Sequence, residues 1–283
     1  MVHGPHILAR FLKVPGKPDK YGNAWQYNSR SDRHSKIGCW GVAFDLLIAS
    51  ARLREHASSG KIVLGVNHAM TDFGTGRRKK LDLVIARPAA PVGVPRKTFK
   101  SLATSYGVML TDAESEHLDG LPDIPVADVG AVLIALEAKA TMTAHVKSLP
   151  RLYDELNSSH LCVHGASKSA LAIGYVQVNN SEAFVSSVTN DHPLDSNAVI
   201  VSTHRQPHDT LRVIEKVKEI PRRSKSSEVG FDGIGLSVLD FKNDGGQVSI
   251  VAGAPAPQQG DSFHYDSMIV RMANEYDTTF GKI

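Results

Sequence analysis

The stretch Ala131-Val132-Leu133-Ile134-Ala135-Leu136-Glu137-Ala138-Lys139-Ala140 decides how this chain folds. Apart from Glu137 and Lys139 it is continuously apolar, which predicts a strand covered on both faces, as in the middle of an α/β sheet. Side chains alternate along a strand, so Glu137 and Lys139, two apart, leave the same face. A carboxylate and an ammonium in such surroundings cost desolvation energy unless they pair or bind something.

Upstream, Leu81-Asp82-Leu83-Val84-Ile85-Ala86 reads as another strand, ended by Pro88. Asp82, held between two leucines, poses the same problem as Glu137. If the two strands are neighbours, their carboxylates converge on one point and repel, and a divalent cation relieves that repulsion. Mg²⁺ suits such a place, because it takes one or two carboxylates and completes its shell with waters and phosphate oxygens. A cation there activates water and stabilises charge on a phosphoryl group. Lys139 beside it orients or deprotonates the water, or neutralises the phosphate.

Further outward the same kind of reading continues. Trp40, Phe44, Leu47, Ile48 and Ala51 recur at helical spacing and predict a helix from about Trp40 to Ala57, stopped by Gly60. Lys61–Val66 reads as a strand. Downstream of Lys139, Val146, Leu149, Leu152, Tyr153 and Leu156 predict a helix over about 144–157, ended near Asn157-Ser158-Ser159-His160. Ala170–Val178 reads as a fourth strand. Beyond residue 180 the pattern predicts a strand at 198–202, a helix at 208–220, a hairpin of 234–241 with 247–252 turning at Asn243-Asp244-Gly245-Gly246, and a last helix at 262–276. Residues 12–36, with two prolines and two glycines, read as an irregular arm. Residues 88–130, with five prolines and an acidic patch, read as an insertion with a short helix near Thr98–Ser105.

The order helix, strand, strand bearing Asp82, strand bearing Glu137-Ala138-Lys139, helix, strand resembles the αβββαβ core of the PD-(D/E)XK nuclease superfamily, the restriction-endonuclease-like enzymes. The resemblance covers about residues 39–179, leaving 88–130 as an insertion and about 181–283 as a C-terminal α/β extension of a single nuclease domain. It implies an α/β fold with a central mixed sheet flanked by helices, and Mg²⁺-dependent hydrolysis of DNA phosphodiester bonds, with Mn²⁺ as a substitute. By motif position Asp82 and Glu137 are metal ligands and Lys139 is the catalytic lysine. Some members carry a further acidic residue on the first helix. Glu55 lies on the apolar stripe and is the better candidate, and Asp45 lies at its edge, with a solvated helix charge the favoured reading of each. This sequence has Leu81 where the motif's proline stands. The substrate implied is double-stranded DNA cut by a restriction-, phage- or defence-type endonuclease, and such enzymes often act as homodimers.

Cations near the motif are candidate phosphate contacts: Arg77, Arg78, Lys79 and Lys80 before the Asp82 strand, and Lys147 and Arg151 four apart on the following helix. A solvated basic turn explains the first four equally well. Thr141 and His145 lie at the mouth of the same site, with a surface histidine the favoured reading of His145. Asp232, Asp240 and Lys242 form a rival D…DxK, but a turn and another strand follow where the helix should be. Asp72-Phe73-Gly74 lacks the companions of a kinase metal motif, and Gly165-Ala166-Ser167-Lys168-Ser169 lacks the glycine a P-loop needs before its lysine. Two alternatives stand beside the nuclease. One is an inactive nuclease-like fold that binds nucleic acid or protein. The other is a metal-dependent enzyme acting on a small phosphorylated molecule.

Composition bounds these readings without choosing among them. A net charge of +3 is too mild to argue nucleic-acid binding, so a local groove has to carry it. Cys39 and Cys162 form no CxxC pair, which argues against a cysteine-rich zinc site and fits free thiols in a reducing compartment. The thirteen histidines show no zinc spacing, and no HExxH is present. Met1–Phe11 has no long apolar core, and no run of about eighteen apolar residues occurs anywhere. The expectation is a cytoplasmic protein without a membrane span.

Overall fold

A computed structural model describes residues 2–283. The chain is α/β, with a six-stranded mixed sheet flanked by helices. In chain order the elements are α1 (Gly4–Leu12), α2 (Arg33–Ala49), α3 (Ala51–Ser58), β1 (Val63–Thr71), β2 (Arg78–Pro88), α4 (Phe99–Tyr106), α5 (Asp112–Gly120), β3 (Val129–Thr141), α6 (His145–Ala166) and β4 (Leu171–Asn179). Then come β5 (Ala183–Val185), β6 (Val201–Thr203), α7 (His208–Lys218), β7 (Gly233–Asp240), β8 (Ser249–Ile250) and α8 (Tyr265–Thr279). The sheet order is β1-β2-β3-β4-β7-β8, and β5 pairs separately with β6. β1, β2 and β3 form an antiparallel meander, after which β3, β4 and β7 run parallel. A parallel neighbour needs a crossover, and α6 and α7 supply the two that are required.

The apolar run in β3 is explained by two cores. Leu133, Leu136 and Ala138 pack on the side of α2, while Val132 and Ala135 pack on the side of α6 and α7. The helix expected over 40–57 is two helices. Ser50 takes an extended conformation and ends α2, and its hydroxyl then accepts the Leu53 N–H at 2.9 Å to cap α3. α2 is buried on nearly every side, because α1 and α8 also pack on it. α1 approaches so closely that a Cβ on Gly41 would stand 2.8 Å from Gly4 Cα. α6 runs on through Asn157–His160 to Ala166, so those polar residues do not end it; Ser159 and His160 are buried in its interior turns. Residues 88–130 hold two capped helices, α4 and α5, where one was expected. β8 keeps only two residues of its expected strand, and β6 lies slightly later than predicted.

No helix among the described residues is long and apolar enough to cross a membrane. Both cysteines are free and buried. The N-terminal segment, described from Val2 onward, folds into α1, an element the sequence pattern did not predict.

Candidate functional site

β2 changes face at Asp82. Leu83 packs in the α2-side core and Leu81 in the α6-side core, although a regular strand would point both the same way. The β1–β2 register passes from Val66↔Leu83 to His68↔Leu81, skipping Asn67 and Asp82, and Asn67 is the one β1 residue with positive φ (+51°). On the other side the β2–β3 ladder ends at Leu83↔Leu136, so the two strands part just where Asp82 and Glu137 follow. Asp82 fills the fork, and its Oδ2 accepts the Ala138 N–H at 2.9 Å. Cys39 of α2 lies against the same oxygen, 3.9 Å away.

Glu137 is almost wholly buried at 3% exposure. Its Oε1 faces Lys139 Nζ at 2.7 Å and Lys79 Nζ at 3.7 Å, while its Oε2 is buried without a hydrogen-bond partner. Burial pushes the Glu137 carboxyl above the ordinary range; Lys139 opposes this and the Asp82 charge adds to it. Burial also raises Asp82, against the Ala138 N–H and the Lys139 charge. For Lys139, burial alone would lower the pKa, but Glu137 and then Glu155 outweigh it and hold the ammonium above its usual range. As placed here, Lys139 is a cation and not a proton acceptor. Burial raises the Cys39 thiol far above its ordinary value, reinforced by Asp82 and Glu137, so it stays neutral.

Asp82 and Lys139 open onto a cleft of about 430 Å³. One wall is the arm from Tyr27 to Ser35, and the other is the start of α6 with Ser148, Arg151 and Glu155. The arm is pinned by the Asn-Asp-Gly-Gly turn after β7. Asn243 accepts the Tyr27 N–H at 2.7 Å and donates to Tyr27 O at 3.0 Å and to Val185 O at 2.8 Å. His34, half-buried beside the Tyr27 ring, is held neutral: desolvation, then the Lys139 charge, lowers its pKa to about 4.

The structure therefore brings Asp82, Glu137 and Lys139 together and adds Lys79 and Arg151 from the expected cations. Arg77, Arg78, Lys80 and Lys147 are exposed and do not line the cleft. Glu55 is also exposed, paired with Arg52 at 2.6 Å on α3, and takes no part in the site. Asp45 is buried for another purpose: it accepts the N–H groups of His3 and Gly4 and the Tyr265 hydroxyl, tying α1 and α8 to α2. His145 is not a surface group but is buried, with Nε2 2.7 Å from Asn179 O. The rival triplet is not assembled. Asp232 is bound to Arg223 (2.8 Å) and to the Ala172 N–H (2.7 Å), and Asp240 and Lys242 are exposed at the far end of β7.

The sequence pattern marked residues 12–36 as an irregular arm but did not place it at the site, and it did not single out Ser148 or Glu155. Glu155 carried a readable signal, four residues after Arg151 on one helix face; the arm carried no periodicity at all. No group of three or more His, Cys, Asp or Glu able to hold a metal occurs among the described residues. No family model, curated protein or solved structure matches this chain.

Proposed function

We propose that this chain is a metal-dependent nuclease with a restriction-endonuclease-like core, hydrolysing DNA phosphodiester bonds. The observation that carries this reading is the buried Oε2 of Glu137, which has no hydrogen-bond partner although the Asp82 charge acts on the same carboxyl, with Lys139 two residues along the strand. A buried carboxylate oxygen without a donor is costly, and a cation is the partner that removes the cost. The residues fit Mg²⁺ or Mn²⁺, with Asp82 and Glu137 as its protein ligands. The order α2, β1, β2, β3, α6, β4, with β1 to β4 adjacent in the sheet, supports the same reading.

When bound, such an ion supplies Lewis-acid stabilisation of the phosphoryl oxygens and an activated water. The chain's own residues do the rest. Lys139 presents a fixed positive charge at the cleft floor. Arg151 and Arg30, both exposed at the cleft wall, offer phosphate contacts. His34, neutral and half-buried at the cleft wall, offers a hydrogen bond without a charge.

A second reading is favoured by one observation. The cleft volume is that of a small-molecule pocket, and most of the predicted basic groups lie outside it. A metal-dependent hydrolase of a small phosphorylated molecule fits that shape. Incubating the protein with plasmid DNA and, separately, with bis(p-nitrophenyl) phosphate and p-nitrophenyl phosphate, in Mg²⁺ or EDTA, tests both. Nuclease action predicts Mg²⁺-dependent strand cutting. Turnover of the small esters with intact plasmid would favour the second reading, and inertness toward all three would remove both.

A further inference from the structure

Lys139 is held by two carboxylates, Glu137 two residues along its own strand and Glu155 from a different element. Glu137 carries the orphaned Oε2 and stands beside Asp82, so its charge is the one a cation would claim. Glu155, on α6, lies on the cleft side: its Oε2 is 3.1 Å from Lys139 Nζ, while its Oε1 accepts from Arg151 Nε at 2.6 Å. With both oxygens committed and the backbone fixed mid-helix, Glu155 has one way to face. The result is a row of alternating charge from Arg151 through Glu155 and Lys139 to Glu137.

We infer that Glu155 is the positioning residue that keeps the Lys139 ammonium at the cleft floor once Glu137 is engaged elsewhere, and that it takes no part in holding the metal. The inference rests on the nuclease reading for its kinetic consequence, though not for its geometry. A flexible lysine stem loses its preferred direction when one of two anchors is claimed. An acid from a different element, outside the Asp82–Glu137 pair, keeps that direction. Removing a group that orients a reacting side chain costs roughly 10–100-fold in activity.

The test compares Glu155→Gln, Glu155→Ala, Lys139→Ala and the double variant Lys139→Ala/Glu155→Ala in the full chain. The first measurement needs no activity. Lys139 is acetylated with an N-hydroxysuccinimide ester in Ca²⁺-containing buffer, and its modification rate is followed by mass spectrometry. The rate should rise in both Glu155 variants, more in the alanine. Mn²⁺ affinity by calorimetry should stay unchanged. Single-turnover cleavage should fall in kcat and not in KM, and the double variant should be no slower than Lys139→Ala, because Glu155 acts through that lysine. An unchanged acetylation rate overturns the inference whether or not the protein cuts DNA. Lost Mn²⁺ affinity overturns it by making Glu155 a ligand, and additive loss in the double variant does so by giving Glu155 a separate role. Faster acetylation in a protein that cuts nothing would uphold the positioning and remove the nuclease reading alone.

Discussion

Replacing Asp82 by Asn should make the metal-free protein more stable while abolishing the cation binding proposed for it. The carboxyl is pushed above its ordinary range by burial, which outweighs the Ala138 N–H and the charges of Lys139 and Lys79. An acid whose folded pKa is raised binds its proton more tightly folded than unfolded. Its favourable contribution is full at low pH and is lost as the pH rises through the folded pKa, so at pH 8 the ionised group is a net cost. Asn keeps the shape and an oxygen for the Ala138 N–H, and removes only the charge. Relief of this kind at functional sites amounts to about 0.5–2 kcal/mol. For a chain of this size each kcal/mol is worth roughly 2–4 °C in Tm. The assay is thermal unfolding by circular dichroism in EDTA, at pH 8 and again near pH 4.5, with Asp82→Asn beside the wild type. The variant should melt higher at pH 8, and the advantage should shrink on acidification. Adding Mn²⁺ should raise the wild-type Tm and leave the variant unmoved, because only the intact site binds it. A variant that melts lower than wild type in EDTA at pH 8 would refute the claim that Asp82 is held at a cost.

Two other outcomes follow from the same geometry. If nucleic acid enters the cleft, binding of a labelled duplex in Ca²⁺ should weaken as salt rises, and Arg30→Ala/Arg151→Ala should flatten that slope without changing Mn²⁺ affinity; a slope equal to wild type would place the phosphate contacts elsewhere. Arg223→Ala should strip the buried Asp232 of its ion pair and free the carbonyls of Lys168 and Ala170. The loss should be roughly 3–5 kcal/mol in urea unfolding, and a change under about 1 kcal/mol would contradict it.

The parts of the fold legible in the sequence are those where one physical demand acts alone. β3 declared itself because a strand covered on both faces admits few polar residues, and the two it admits, Glu137 and Lys139, stood out for that reason. Asp82 was legible on the same ground. The break at Ser50 was not, because both α2 and α3 continue the apolar pattern across it, and a single extended residue leaves no gap in periodicity. α6 outran its expected end because Asn157-Ser158-Ser159-His160 looks like a terminus. In the fold, the Ser158 and Ser159 hydroxyls bond back to the Glu155 carbonyl within the helix. The arm that walls the cleft was unreadable in principle. Its position depends on Asn243, more than two hundred residues away, and nothing local encodes that contact. Glu55 is solvated, the reading favoured for it, and its place on the apolar stripe dissolves for a related reason. A helical stripe drawn through Ser50 places it beside Phe44 and Ile48, whereas the new helix turns it to solvent.

The nuclease reading stands or falls on one comparison: cleavage of supercoiled plasmid in Mg²⁺ by Lys139→Ala and by the wild type, with EDTA as the blank. Lys139 is the residue that distinguishes a nuclease centre from a generic pair of buried carboxylates. The wild type should cut in Mg²⁺ and not in EDTA, with Lys139→Ala slower by roughly 10²–10⁴-fold, the range for a group acting in the transition state. Cutting by Lys139→Ala at the wild-type rate would contradict the nuclease reading.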